Sequence, residues 1–384
     1  FRSERKVQYM SWQEELSKGI RTAEQLAEYM GWDQEKLEAC RQIAERYPMM
    51  ITPYYLSLVD KDDPDDPIAR MCIPSADEFV PGGSFDTSGE ASNTKLEGLQ
   101  HKYKRTVLLL STNQCAMYCR HCFRKRLVGL SNEELNKRVD EVVEYVGSHP
   151  EINNVLISGG DSLLNPNHII ERYLRELSAI DHLDFIRFGS RLPVTLPERI
   201  YGDGELLDML DEYSDIKTIY VVTQFNHPRE LTPEARCAVR ALLDRGVQVR
   251  NQTVLLRGVN DSPDVLGELF AGLTRAGISP YYIFQCRPVT GVQNRFQVPL
   301  LDGIRIVDEA KGLQNGFGKG VRYAMSHPRG KIEIIGTLPD RQTIFKFHQN
   351  KYPEDASRIF TRALTPDSRW LDDELNPTDR KSVV

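Results

Sequence analysis

TVLLLSTNQCAMYCRHCFRKR, residues 106–126, is the stretch on which the reading of the fold turns. Its first seven residues are β-branched or apolar and read as a strand, and Cys115, Cys119 and Cys122 follow at once in C-x3-C-x2-C spacing. Three thiolates on so short a loop can converge on one face of a cubane and leave one iron without a protein ligand. An open iron can bind substrate or cofactor. Zinc would need a fourth ligand, usually in two separated pairs, and the nearest candidate, His121, is wedged between two of the cysteines in a strained position. Three buried structural cysteines are the plainer alternative, but these would need neither this spacing nor a setting of Arg120, Arg124, Lys125 and Arg126.

Outward from residue 106, short apolar runs alternate with amphipathic helices. The pattern predicts strands over 106–112, 154–160, 185–190, 216–225, 247–256 and 278–286, with helices such as 132–149 and 233–246 between them. Six strand–helix units joined by right-handed crossovers place successive strands side by side. The expected fold class is therefore α/β, a parallel sheet curled into a partial (β/α)6 TIM-like barrel, whose reacting groups gather at the C-terminal strand ends. Residues 1–95 read as an N-terminal helical segment and a wrapping loop. Within them 11–48 carries apolar residues at helical spacing, whereas 60–98 is rich in Asp, Pro, Gly and Ser and predicts a long loop outside the folded core. Residues 96–300 form the expected barrel. Residues 301–384 form a C-terminal closing segment with one helix, a GFGKG turn, two or three short strands and a polar tail.

The net charge of −6 gives no general attraction to nucleic acid or to an anionic membrane, which favours a small-molecule partner. No run approaches the ~20 apolar residues of a membrane helix. The opening FRSERKVQYMSWQEEL has no apolar core of the signal-peptide kind, so a cytoplasmic location is expected. Seven cysteines, three of them packed into eight positions, do not form a secreted disulfide framework.

The cysteine loop after a first strand is similar to the signature of the radical S-adenosylmethionine superfamily. The surrounding motifs LLLSTNQCAMYCRHCFRKR, VLISGGDSLL, RFGSRLPVTLPERI, TQFNHPRE and NQTVLLRGVND resemble the lysine 2,3-aminomutase family in order and spacing, from about Trp12 to Lys331. The resemblance implies a [4Fe-4S] cluster on Cys115, Cys119 and Cys122, with S-adenosylmethionine chelated through its amino and carboxylate groups to the fourth iron. Two glycines ending a strand let backbone approach a ligand and expose amide groups. The resemblance assigns Gly159, Gly160 and Asp161 to the methionine amino group. Ser190, Arg191, Asn226, His227 and Gln252 fall on successive strands or strand ends that a barrel brings to one mouth, which makes them candidate cofactor contacts. Each alone could equally be a satisfied polar group or a helix cap.

The resemblance also implies pyridoxal phosphate as nitrogen carrier while a 5′-deoxyadenosyl radical removes a hydrogen from the substrate, which requires a lysine as covalent anchor. Lys331 in YAMSHPRGKIEIIG stands there, although Arg329 and Gly330 replace a run of four glycines. An exposed lysine that starts a strand is the alternative. Thr106, with Arg105 beside it, stands where the family places an arginine near the cofactor phosphate. Arg124 matches the position implied to grip the substrate α-carboxylate. Lysine-specific members carry two aspartates for the distal ammonium, whereas this chain has Arg287 in QCRPVTG and Ser326 in AMSHP. A guanidinium repels an ammonium in a dehydrated pocket. The expected substrate is therefore not free lysine but an acidic or polar amino acid, as for the related glutamate 2,3-aminomutases. Pairing of Arg287 with an internal acid is the alternative.

The expected enzyme is an isomerase that moves an amino group between C2 and C3. Its partners would be a small amino acid, an electron donor such as flavodoxin or ferredoxin, and a second copy of the chain, with no nucleic acid and no membrane. Two other readings remain: a radical enzyme without pyridoxal phosphate, and an iron–sulfur electron-transfer protein that cleaves no S-adenosylmethionine.

Overall fold

Val107, Leu109, Val155, Ile157, Ile186, Phe188, Ile219 and Val221 are all fully buried, while the residues between them, Leu108, Leu156, Arg187 and Tyr220, are only partly covered. This period of two gives each strand one face sealed under helices and one facing a cavity. In the computed structural model, which describes residues 11–130, 135 and 138–379, these segments join one twelve-stranded sheet whose spatial order follows the chain. The strands are β1 Thr94–Leu96, β2 Leu99–Tyr103, β3 Thr106–Thr112, β4 Asn154–Gly159, β5 Phe185–Gly189, β6 Thr218–Thr223, β7 Gln248–Leu255, β8 Ser279–Gln285, β9 Arg322–His327, β10 Gly330–Thr337, β11 Gln342–Asn350 and β12 Ile359–Ala363. From β3 to β9 every neighbouring pair is parallel. The fold is α/β.

Local chemistry sets the helices that cover the sealed face. Pro233–Leu243 begins with Thr232, whose side chain accepts from the amide of Ala235, and with a proline at its first turn. Asn167–Ser178 buries Ile170, Tyr173, Leu174 and Leu177 on one stripe. Of the helix expected over 132–149, residues 132–134 and 136–137 lie outside the described residues, and the helix observed is Val139–Gly147. Residues 1–10, on which part of the signal-peptide reading rests, also lie outside them. Among the described residues no helix is long and apolar enough to cross a membrane.

Three features differ from expectation. Antiparallel strands flank the parallel set on both sides, and β9–β12 continue the same sheet past residue 300. The stretch 60–98 is not a loop outside the core: Ile68, Met71 and Cys72 are fully buried in a helix, Pro67–Cys72, capped by Asp66. Its Asp and Pro, read as loop formers, are a cap and a first-turn residue. The tail is also docked, since Trp370, Leu371 and Leu375 are buried and His327 Nε2 contacts the carbonyls of Leu371 and Asp372 at 3.2 and 3.0 Å. The two sides of the parallel set approach each other, with Lys102 Nζ of β2 donating to the carbonyl of His327 of β9 at 2.6 Å.

Candidate functional site

The open faces of the strands enclose a cavity of about 330 Å³. Its wall brings together Cys115, Cys119, Cys122, Arg124, Gly159, Gly160, Asp161, Ser190, Arg191, Gln252, Arg287, Ser326 and Lys331. Asn226 and His227 do not line it. Asn226 is fully buried; its Nδ2 reaches His121 Nε2 at 3.3 Å and its Oδ1 accepts from the amide of Val254 at 2.9 Å. His227 caps a short turn, with Nδ1 accepting from the amide of Arg229 at 3.2 Å.

The cysteine loop is pinned by backbone bonds from Tyr118 to Met50 and from Arg120 to Met71, at 2.9 and 2.8 Å. Two of its cations turn away from the thiols onto buried Glu78, which accepts from Arg120 Nε at 2.9 Å and from Lys125 Nζ at 2.6 Å. All three thiols are free. Burial pushes the Cys122 thiol up to about 11 and Cys115 well above its ordinary value. Bound iron reverses that preference and deprotonates a ligating thiol. His121 is not available as their partner through Nε2, which accepts from Gln224 Nε2 at 3.0 Å. Among the described residues no three His, Cys, Asp or Glu side chains are grouped to hold a single metal ion. Three soft thiols on one wall of an open cavity suit a multi-iron cluster with one free metal better than zinc, and better than packed structural cysteines.

The SGGD turn serves the cluster loop in a way the sequence did not suggest. Its amides are spent within the protein: Gly160 donates to the carbonyl of Thr112 at 2.5 Å and Asp161 to that of Gln114 at 2.7 Å. Gly159 sits at φ +120°, and a Cβ on Gly160 would lie 2.2 Å from the Gln114 carbonyl oxygen. The glycines therefore allow the turn to press against the cysteine loop. Asp161 accepts from the amides of Arg191 and Leu163 at 2.6 and 3.3 Å, while burial, the dominant influence, pushes its carboxyl up to about 6. It positions the end of β5.

Arg191 links that strand end to the cysteines. Its Nη1 lies 3.0 Å from Cys119 Sγ, Nη2 pairs with Glu230 Oε1 at 2.5 Å, and Nε donates to the Gln224 carbonyl at 2.9 Å. Glu230, fully buried, also accepts from the Tyr55 hydroxyl and from the amides of Asn226 and His227. Beside this network Thr223 Oγ1 and His121 Nδ1 are buried without partners, and both residues face the cavity. These orphans and the cavity-facing Gln252 suit a polar ligand held against the cysteines.

At the other end of the cavity Lys331 of β10 points among Tyr282, Phe284 and Tyr103, its Nζ 4.7, 5.8 and 5.9 Å from their ring centroids. Among the described residues no hydrogen bond or ion pair holds it, and burial, with Arg187 and Arg287 nearby, pushes it down to about 7. An amine that gives up its proton near pH 7 has a substantial unprotonated fraction able to attack a carbonyl, which fits the anchor of a pyridoxal group. Arg287 stacks on Phe123 at 4.2 Å and bonds the Ser88 hydroxyl. No carboxylate forms an ion pair with it among the described residues. Arg124 contacts Glu90 Oε1 at 3.2 Å and Ser158 Oγ at 3.1 Å. Glu90 is held below the usual carboxylate range, since Arg124, Arg126 and Arg287 outweigh its burial.

Two participants escaped the sequence reading. Glu90 lay in the supposed loop. Arg187 lay in a strand that was read only for its apolar residues, yet it lines the cavity and helps depress Lys331.

Comparison with known proteins agrees with this geometry. Residues 109–268 match the model of the Radical SAM superfamily. The chain is 39% identical to the L-lysine 2,3-aminomutase of Clostridium subterminale, covering 80% of this chain and 73% of that one. It is 39% identical to the L-lysine 2,3-aminomutase of Fusobacterium nucleatum, covering 81% and 72%. It is 34% identical to the glutamate 2,3-aminomutase of Clostridioides difficile, covering 83% and 74%.

Proposed function

The chain belongs to the lysine 2,3-aminomutase family of radical S-adenosylmethionine enzymes, and from that premise we propose that it is a 2,3-aminomutase for an amino acid with a distal carboxylate, such as glutamate. The observation that carries the substrate reading is Arg287, a cavity-facing guanidinium without a carboxylate ion pair among the described residues, where an ammonium-bearing substrate would need an acid. Ser326 adds a small hydroxyl to the same wall. The family's cofactors supply a hydrogen-abstracting radical from S-adenosylmethionine and the [4Fe-4S] cluster, and a nitrogen carrier from pyridoxal phosphate.

In this reading Cys115, Cys119 and Cys122 hold the cluster. Arg191 sets charge beside Cys119, and Glu230 fixes its guanidinium. Gly159, Gly160 and Asp161 hold the cluster loop against the end of β4, while Ser190 and Gln252 contact the nucleotide cofactor. Arg124 receives the substrate α-carboxylate in a site already shaped by Glu90 and Ser158, and Arg287 receives the distal one. Lys331, whose proton is loosened by burial, supplies the amine for the carrier. Two fixed cations at the substrate's two ends hold the chain in one register and leave the Cα–Cβ segment between them, which favours reaction at adjacent carbons.

The approach of β2 to β9 supports a sheet curled into a partial (β/α)6 barrel around these groups. A cytoplasmic location and a flavodoxin- or ferredoxin-type donor fit a cluster that must be reduced. The test is anaerobic incubation of reconstituted enzyme with single amino acids, followed by chromatography for β-isomers. Conversion of glutamate but not lysine is expected. Conversion of lysine in preference to glutamate overturns the substrate reading.

A further inference from the structure

Lys331 is placed by its backbone, because among the described residues its amine has no hydrogen bond or ion pair of its own. That backbone lies at an irregular end of its ladder. Gly330 and Lys331 of β10 pair with Asn350 and Gln349 of β11, but the next pair is Ile332 with Phe347, so His348 is an extra residue in β11 beside Lys331. A bulge disrupts the ladder locally, and main-chain pairing alone specifies the short end beyond it less firmly.

Side chains supply what the ladder lacks. Arg329 stands in the turn between β9 and β10, two residues before Lys331, and donates to Asp355 from Nε at 2.8 Å and from Nη2 at 3.0 Å, a two-pronged pair. Asp355 is fully buried and ends the short turn Pro353–Asp355 that follows β11. The pair therefore joins the tip of the β9–β10 hairpin to the chain that leaves β11. On the other side of the tip, His327 Nε2 donates to the carbonyls of Leu371 and Asp372, while its Nδ1 accepts from the Arg329 amide at 3.2 Å. A buried carboxylate needs a cation beside it, and Arg358 already supplies one, its Nη1 3.0 Å from Asp355 Oδ1. What Arg329 adds is the tie to the hairpin. Neither Arg329 nor Asp355 lines the cavity, so the pair acts on it only through the strand.

We propose that Arg329, gripped by Asp355, is a positioning residue for Lys331: the pair clamps the hairpin tip beyond the bulge and so holds the Lys331 side chain among Tyr282, Phe284 and Tyr103. The proposal rests on the reading of Lys331 as the covalent anchor of a carbonyl ligand. A loosened tip lets water reach the amine, which relieves its desolvation and strengthens its hold on the proton.

The test compares full-length wild type, Arg329→Gln, Arg329→Lys and Asp355→Asn, each checked by circular dichroism for native folding. Thr232→Ala, at a helix cap outside the cavity, controls for lost stability alone. The probe is pyridoxal, whose aldehyde condenses with the amine to a carbon–nitrogen double bond with loss of water. Cyanoborohydride then delivers hydride to the carbon and water a proton to the nitrogen, which leaves a stable secondary amine. Mass spectrometry of the Lys331 peptide measures the labelling rate at this lysine across a series of pH values. In wild type the rate should rise with a midpoint near 7. Arg329→Gln and Asp355→Asn should move the midpoint up by about one pH unit, so that labelling at pH 7 falls roughly fivefold, with a smaller shift in Arg329→Lys. Thr232→Ala should keep the wild-type midpoint. Unshifted midpoints in Arg329→Gln and Asp355→Asn overturn the proposal and leave the anchor reading standing. An equal shift in Thr232→Ala also overturns it, because general loss of stability would then be the cause. Absence of label on Lys331 in wild type at every pH overturns the proposal together with the reading it rests on. Should Arg329→Gln fail to fold, Asp355→Asn and Arg329→Lys decide by the same criterion.

Discussion

Replacing Arg287 by methionine separates recognition from stability. Burial is the main influence on this guanidinium and, despite nearby Glu90, pushes it down to about 10. That depression corresponds to roughly 3 kcal/mol against keeping the charge in place. Methionine retains much of the apolar stem on Phe123 and removes the charge, while giving up the Ser88 bond and the cation–π contact, together about 1–2 kcal/mol. The urea-unfolding midpoint of apoprotein should therefore hold or rise, by on the order of 1–2 kcal/mol in unfolding free energy. Catalysis should move the other way. A distal carboxylate loses a charge-assisted pair worth about 1.5–3 kcal/mol, a fall of roughly 10- to 150-fold in kcat/KM. The assay measures kcat/KM for glutamate and for a neutral amino acid of the same length in wild type and Arg287→Met. The loss should be confined to glutamate. An equal loss for both amino acids, or a destabilisation of several kcal/mol, would refute the reasoning, because Arg287 would then be a structural residue.

Three further outcomes follow from the geometry. Glu230→Gln removes the buried partner of Arg191 and should destabilise the apoprotein by about 3–5 kcal/mol in urea unfolding, with weaker S-adenosylmethionine binding by calorimetry; Thr232→Ala, at a helix cap remote from the cavity, should cost only about 1 kcal/mol. Gly160→Ala forces a methyl onto the Gln114 carbonyl, so the cysteine loop must shift, and reconstituted iron per chain should fall below that of wild type by iron assay. Lys102 and Lys331 are both pushed down to about 7 by burial, so the unfolded chain binds more protons than the native one above that pH. Apoprotein stability should rise as pH increases from about 7 to about 8, below the range in which the buried thiols, pushed up by burial, oppose it, and Lys331→Met should flatten that rise in urea titrations at successive pH values.

The parallel strands were legible because their buried faces are runs of Val, Ile and Leu, as in 106–112 and 154–160, and because the motifs fall at their ends. The cysteines were legible for a different reason: their spacing has few other uses. What escaped notice was carried by charge inside the fold. Glu78 and Glu90 sit in a stretch whose Asp, Pro and Gly suggested solvent, yet both are buried as counter-ions for cations of the cysteine loop. Their partners lie more than thirty residues away, so no local pattern marks them. Arg187 shows the same limit, since the alternation that buries Ile186 and Phe188 also aims Arg187 into the cavity. Asn226 and His227 had polar identity and a strand-end position in their favour; neither lines the cavity, and Asn226 bonds Val254 and His121 while His227 Nδ1 accepts from Arg229. The SGGD glycines line the cavity, and they also let the turn press against the neighbouring loop, a use their sequence did not suggest.

The account stands or falls on what the three thiols hold. Anaerobic reconstitution followed by iron and sulfide analysis should give about four of each per chain, and reduction in the presence of S-adenosylmethionine should release 5′-deoxyadenosine, with both lost in Cys119→Ala. Protein that takes up zinc in place of iron and sulfide, or that holds the cluster and leaves S-adenosylmethionine intact, would contradict it.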